Sequence, residues 1–141
     1  MKAAFYKSTR PSLKGIYNQL VRAVDGSQYS HCEIQFSDGI SASSSFEDDG
    51  VRFKHIVFNP DHWDFIDLPD ELEAGARAWF EAHKGAKYDI MGNIRFVLGF
   101  VPHSRGKWFC TEAAAESLGI AGSWLYGPRA LYAQLNFEYG E

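Results

Sequence analysis

The sequence predicts an α+β fold, and three patterns predict it. Leu13, Ile16, Tyr17, Leu20, Val21 and Val24 recur at the spacing of a helix with one buried stripe. From residue 31 the pattern changes: Cys32, Ile34 and Phe36 alternate with His31, Glu33 and Gln35, the period of a half-buried strand. Beyond residue 69 the alternation gives way to segments punctuated as helices by proline and glycine. Helix, several antiparallel strands, then helices make one α+β domain spanning residues 1–141.

A short strand is expected from Ala3 to Tyr6, ahead of the helix that Pro11-Ser12 opens and Asp25-Gly26 ends. The strand at His31 turns back at Asp38-Gly39 into ISASSSF. With Ser37-Asp38-Gly39 as a three-residue loop, Phe36 pairs with Ile40 and Ile34 with Ala42, keeping apolar against apolar. Gln35 then faces Ser41, and Glu33 faces Ser43. A loop one residue shorter gives a poorer hydrophobic match. The strand VRFKHIVF follows an acidic turn from Glu47 to Gly50, and another runs from Trp63 to Leu68. Pro69-Asp70 caps a second helix with Leu72, Ala76, Trp79, Phe80 and His83 facing inward and Gly85 as its stop. A third helix is expected from Asp89 to Gly99, a fourth from Cys110 to Gly119, and a last one from Pro128, a favoured first-turn residue.

Composition bounds the function. Hydrophobic residues at 45% and charged ones at 23% suit a packed core rather than a disordered chain. A net charge of -4 argues against a nucleic-acid partner, which needs a basic footprint. The N-terminal residues MKAAFYKSTRPSLK lack the apolar stretch of a signal peptide, and no segment approaches a membrane span. A cytoplasmic location without integral membrane association is therefore expected. Two cysteines are too few for a secreted disulfide scaffold.

One of them stands in a chemically pointed place. Cys110, in WFCTEAAAESLG, falls in the first turn of its helix, where unpaired N–H groups and the helix dipole stabilise a thiolate. Ala113, Ala114 and Ser117 share its face, all small enough to let the helix lie close on a sheet. The candidate base is His31, on the polar face of its strand. If His31 meets Cys110, then Cys32 points away into the core and does not form a disulfide with it. Ser43, Ser41 and Glu33, in that order, are candidates to orient the imidazole. His55, His62, His83 and His103 lack metal-ligand spacing, His83 reads as packing, and no metal or cofactor is expected. Trp63, Trp79, Trp108 and Trp124 read as core.

These residues resemble a family. YSHCEIQFSDG followed by ISAS is similar to the His-strand hairpin of the NlpC-type papain-like cysteine hydrolases, and FCTEAAAESLG resembles their Cys-bearing helix. His comes first and Cys last, the order of the circularly permuted branch with YiiX-like bacterial proteins and the lecithin:retinol acyltransferase group. GAKYDIMGNIRF also looks like that branch, and the compact form is similar to phage and prophage members. The resemblance spans most of the chain, roughly from Tyr29 to Gly119. It implies a papain-like fold with an antiparallel sheet packed on the Cys-bearing helix, Cys110 as nucleophile and His31 as general base. It also implies a polar third residue, matching Ser41 or Ser43, where many members carry His, Asn or Glu. A serine there is a weaker orienter. Phe109-Cys110-Thr111-Glu112 departs from the D-C-S-G motif of ordinary cell-wall-cleaving members and loosens the inference about substrate.

The expected function is acyl transfer through a thioester on an amide or ester, with a cell-wall peptide as first choice. A lipid acyl ester or amide comes next. The partner is thus a peptide or acyl-containing substrate. A contrasting reading, motivated by serine in the third position, is a non-catalytic binding or virion-associated module that keeps the fold. A His/Cys metal-binding regulator is a third and weaker reading.

Overall fold

A computed structural model describes residues 1–8, 22–23, 26, 28–89 and 106–140 of the chain. Of the helices expected from Leu13 to Val24 and from Asp89 to Gly99, all but Arg22, Ala23 and Asp89 lie outside the described residues. Within them the chain is α+β: five strands, then three helices. The strands are β1 (Lys2–Tyr6), β2 (His31–Gln35), β3 (Ile40–Ser45), β4 (Gly50–His55) and β5 (Trp63–Asp67). The helices are α1 (Glu73–His83), α2 (Cys110–Ser117) and α3 (Pro128–Tyr139).

The sheet is antiparallel throughout, in the order β4-β3-β2-β1-β5. The β2–β3 register pairs Ile34 with Ala42 and Gln35 with Ser41. Phe36 N–H donates to Ile40 C=O and Gly39 N–H to Phe36 C=O, closing the three-residue loop. This is the register that apolar matching selects. Strand β4 stops at His55, short of the expected end at Phe58. Its ladder partner β3 begins at Ile40, opposite His55, so nothing remains for Ile56 onward to pair with.

Pleating gives the sheet two unlike faces. Ala3, Phe5, Cys32, Ile34, Ala42, Val51 and Ile66 point to one side and pack with Ala76, Phe80, Ala113–Ala115, Leu131 and Leu135 of the helices. Helix α1 lies against β4, α2 against β2 and β3, and α3 against β5. Ala4, Tyr6 and Trp63 form a second, smaller cluster with Phe58 on the opposite face.

Helix α1 buries Ala76 and Phe80, with Trp79 and His83 half-buried and stacked at 4.0 Å between ring centroids. His83 donates from Nδ1 to the Trp79 carbonyl at 2.8 Å, a packing role. Pro69-Asp70 does not cap it. A 3₁₀ turn, Asp70–Leu72, precedes α1, and neither start carries a side-chain cap.

Helix α2 is buried on almost every side: Cys110 through Ala115 and Ser117 are all inside. Its alanines let the sheet, α1, α3 and a 3₁₀ turn at Ser123–Leu125 close in around it. It ends in a Schellman arrangement, with Ile120 N–H on Ala115 C=O, Gly119 N–H on Glu116 C=O, and Gly119 at φ 73°.

Candidate active site

The site gathers where the start of α2 meets the start of β2. Cys110 is the first residue of α2, after an extended Phe109 with φ -99° and ψ 168°. That entry is pinned by backbone. Trp108 N–H donates to Lys87 C=O and its carbonyl accepts from Asp89 N–H, both at 3.0 Å, and Ser44 Oγ donates to the same carbonyl at 2.5 Å. The Trp108 ring packs edge-on against Trp79 at 4.9 Å. Thr111 Oγ1 donates to Tyr126 C=O at 2.6 Å, fixing the first turn from the far side. The thiol is therefore presented by a segment with little freedom.

His31, the first residue of β2, is half-buried. Its Nε2 donates to Glu33 Oε1 at 2.7 Å. With Nε2 engaged, Nδ1 is the nitrogen left over, and Cys110 lies near enough to raise the imidazole pKa. Burial alone would lower the imidazole pKa. The hydrogen bonds and charges of Cys110 and Glu33 outweigh it and lift His31 to about 9.

Glu33 is 1% exposed and carries two cationic partners. Arg52 reaches both carboxylate oxygens in a fork, Nη1 to Oε2 at 2.7 Å and Nη2 to Oε1. Burial pushes the Glu33 carboxyl up, but Arg52 and His31 together hold it below the usual carboxylate range. Arg52 also donates from Nε to Asp48 Oδ2 at 2.8 Å, and Lys54 meets the same carboxylate at 3.2 Å. A chain of alternating charge thus runs from His31 through Glu33, Arg52 and Asp48 to Lys54.

Of the three candidates to orient His31, the structure brings Glu33 to the ring. Ser43 corrects the expectation: its hydroxyl donates to the Cys32 carbonyl at 2.7 Å. Ser41 is fully buried, and its hydroxyl has no hydrogen-bond partner among the described residues. The Ser43 hydroxyl sits one carbon from the backbone and is taken by its nearest carbonyl. Glutamate, two residues along the same face as His31, has the reach. Arg52 and Asp48 were not anticipated. The signal for them is the alternation Val51-Arg52-Phe53-Lys54, which sets Arg52 on the polar face, where it pairs across with Ser43 beside Glu33.

Cys32 is fully buried in the core cluster, and both cysteines are free thiols. Burial pushes the Cys32 thiol up, and the charges of neighbouring Cys110 and Glu33 push it further, so it stays protonated.

A cleft of about 330 Å³ opens on the polar face of the sheet, lined by His31, Glu33 and Arg52 together with Tyr6, Trp63 and the turn bearing Phe46, Glu47 and Asp48. Trp63 is thus a wall of the cleft, 6.3 Å from the His31 ring centroid, and Trp124 is exposed. Trp124 corrects the expectation that every tryptophan is core, whereas Trp63, buried in the smaller cluster, is core as well as cleft wall. Among the described residues, no group of three His, Cys, Asp or Glu side chains is placed to hold a metal ion, and no helix is long and apolar enough to cross a membrane. Comparison with protein-family models and with curated proteins finds no match to this sequence.

Proposed function

We propose that the protein is a cysteine hydrolase of peptidase or amidase type, acting on an amide or ester, with Cys110 as nucleophile, His31 as base and Glu33 as the residue that orients it. One observation carries this reading: a single imidazole engages a buried carboxylate through Nε2, and a thiol at the start of a helix lies near enough to raise its pKa. His31 Nδ1 takes the thiol proton, and the thiolate attacks the carbonyl carbon. The oxyanion is stabilised by the Cys110 backbone N–H, one of the first-turn donors without an intrahelical acceptor. The imidazolium returns its proton to the leaving amine or alcohol as the C–N or C–O bond breaks, leaving a thioester on Sγ. Water, deprotonated by His31, then releases the acid and restores the thiol.

This order of parts, an antiparallel sheet bearing the His before a helix bearing the Cys, supports membership of the permuted NlpC-type papain-like superfamily, including its phage and prophage members. A cell-wall peptide is the first substrate class and a lipid acyl ester or amide the second. The chemistry calls for no cofactor.

A second reading, a binding module that keeps the fold, is favoured by the position of Cys110. It is 5% exposed and absent from the lining of the cleft.

Iodoacetamide separates the two readings. Labelling at Cys110 that persists in Cys32→Ala and falls at least about tenfold at pH 7 in His31→Ala is the expected result. A thiol indifferent to His31 would sink the hydrolase reading and send the search to binding partners.

A further inference from the structure

Arg52 lies on β4, two strands from His31 in the sheet, yet its contacts are more specific than an ion pair requires. We infer that Arg52 is a positioning residue, whose two-point fork on Glu33 fixes the carboxylate plane that aligns His31, and whose third donor ties that carboxylate to the turn walling the cleft. The inference rests on the Cys110–His31 reading above and adds to it a coupling between the cleft wall and the imidazole.

The geometry is the ground for it. Glu33 Oε1 serves His31 and Arg52 at once, while Oε2 serves Arg52 alone. A carboxylate held only by His31 could turn about its last side-chain bond. Two parallel bonds from a planar guanidinium forbid that rotation. Arg52 is itself held: Nε is committed to Asp48, and Asp48 to Lys54. Asp48 belongs to the four-residue turn between β3 and β4, and Phe46, Glu47 and Asp48 of that turn line the cleft. A ligand pressing on the turn would therefore move Arg52 before it moved His31. Lysine at position 52 would keep the charge and lose the plane, because an ammonium is a point donor on a flexible stem.

The charged groups acting on His31 are Glu33 and Cys110; those on Glu33 are His31 and Arg52; those on Arg52 are Glu33 and Asp48. Exchanging Arg52 for lysine leaves the sign of each unchanged. A difference between the two side chains then reports alignment rather than net charge.

The test is the pH–rate profile of Cys110 alkylation by iodoacetamide in the parent, Arg52→Lys, Arg52→Gln and His31→Ala proteins, with near-ultraviolet circular dichroism to establish folding. The inference expects Arg52→Lys to be folded and about tenfold slower at pH 7, with a displaced profile, and a folded Arg52→Gln to be at least as impaired. A lysine profile superimposable on the parent's, with His31→Ala still impaired, overturns the role of Arg52 and leaves the dyad standing. A parent profile that His31→Ala does not alter removes the dyad, and this inference with it. Failure of Arg52→Gln to fold does not suspend the test, because the charge-conserving lysine variant carries it alone.

Discussion

His31 and Glu33 stand two residues apart on one strand face, and Glu33 accepts the His31 Nε2 proton at 2.7 Å while lying 1% exposed. The pair is therefore a buried charge interaction at the edge of a cleft, and each partner shifts the other. Glu33→Gln keeps the shape and removes the charge. The His31 imidazole is then expected to titrate well below its present value of about 9, readable by proton NMR of the ring resonances, and Cys110 alkylation at pH 7 is expected to fall about tenfold. An unmoved ring titration would mean that Glu33 does not govern the imidazole.

Stability should follow the same group. An unfolded histidine titrates near 6.5, whereas His31 in the fold is lifted to about 9, so the folded chain binds more protons between those values. The stabilisation is fully present below about pH 6.5 and is lost as pH rises through about 9. Chemical denaturation across that window should show stability declining in the parent, with a shallower slope in His31→Ala. Equal slopes would contradict the assignment.

The two serines separate packing from orientation. Ser43→Ala removes the hydrogen bond to the Cys32 carbonyl, costing about 1 kcal/mol. Ser41→Ala removes a fully buried hydroxyl with no partner among the described residues, so stability should change by no more than about 0.5 kcal/mol, in either direction. Neither change should alter the rate of Cys110 alkylation by more than about twofold, since neither hydroxyl bonds the ring. A large rate loss in Ser43→Ala would restore it as an orienting residue.

Gly50 has no room for a side chain. A Cβ there would stand 2.0 Å from the Ala86 carbonyl oxygen, and φ is +137°. That oxygen accepts the Val51 N–H at 2.8 Å, so it cannot retreat without breaking the contact. Gly50→Ala is expected to cost about 3 kcal/mol by thermal or denaturant unfolding. Gly39→Ala, where nothing lies within 4 Å and only φ is unfavourable, should cost about 1 kcal/mol.

Core and surface phenylalanines should differ as sharply. Phe80 is fully buried against Phe36 and Phe53, and Phe80→Ala should cost about 3–5 kcal/mol. Phe137 is 88% exposed, and Phe137→Ala should fall within about 0.5 kcal/mol of the parent. Similar losses from the two would mean that Phe137 is covered in solution.

The hairpin was legible because two independent signals agreed: the alternation through Cys32, Ile34 and Phe36, and the turn at Asp38-Gly39 that fixes its register. The thiol at a helix start and the imidazole on a polar face were legible for the same reason, since each is a local property of its own element. The residue that bonds the ring was not, because Ser43 and Glu33 share the face of His31 and only side-chain length sets them apart. Arg52 was harder still. Its meaning depends on the β3–β4 register, and the four-residue turn at 46–49, with Asp49 at φ 56°, does not declare that register by composition. The early end of β4 is likewise a property of where its partner begins.

The position of β1 has a consequence for how the molecule forms. Ala3 pairs with Ile34 on one side and with Ile66 on the other, so this strand of small and aromatic residues waits for partners made much later in the chain. Its ladder cannot be completed by local contacts, and two large loops must close before it repays their entropy. Refolding is therefore expected in the slow regime of non-local topologies, on the order of milliseconds to seconds, with the β2–β3 hairpin free to form first and β1 to dock against it.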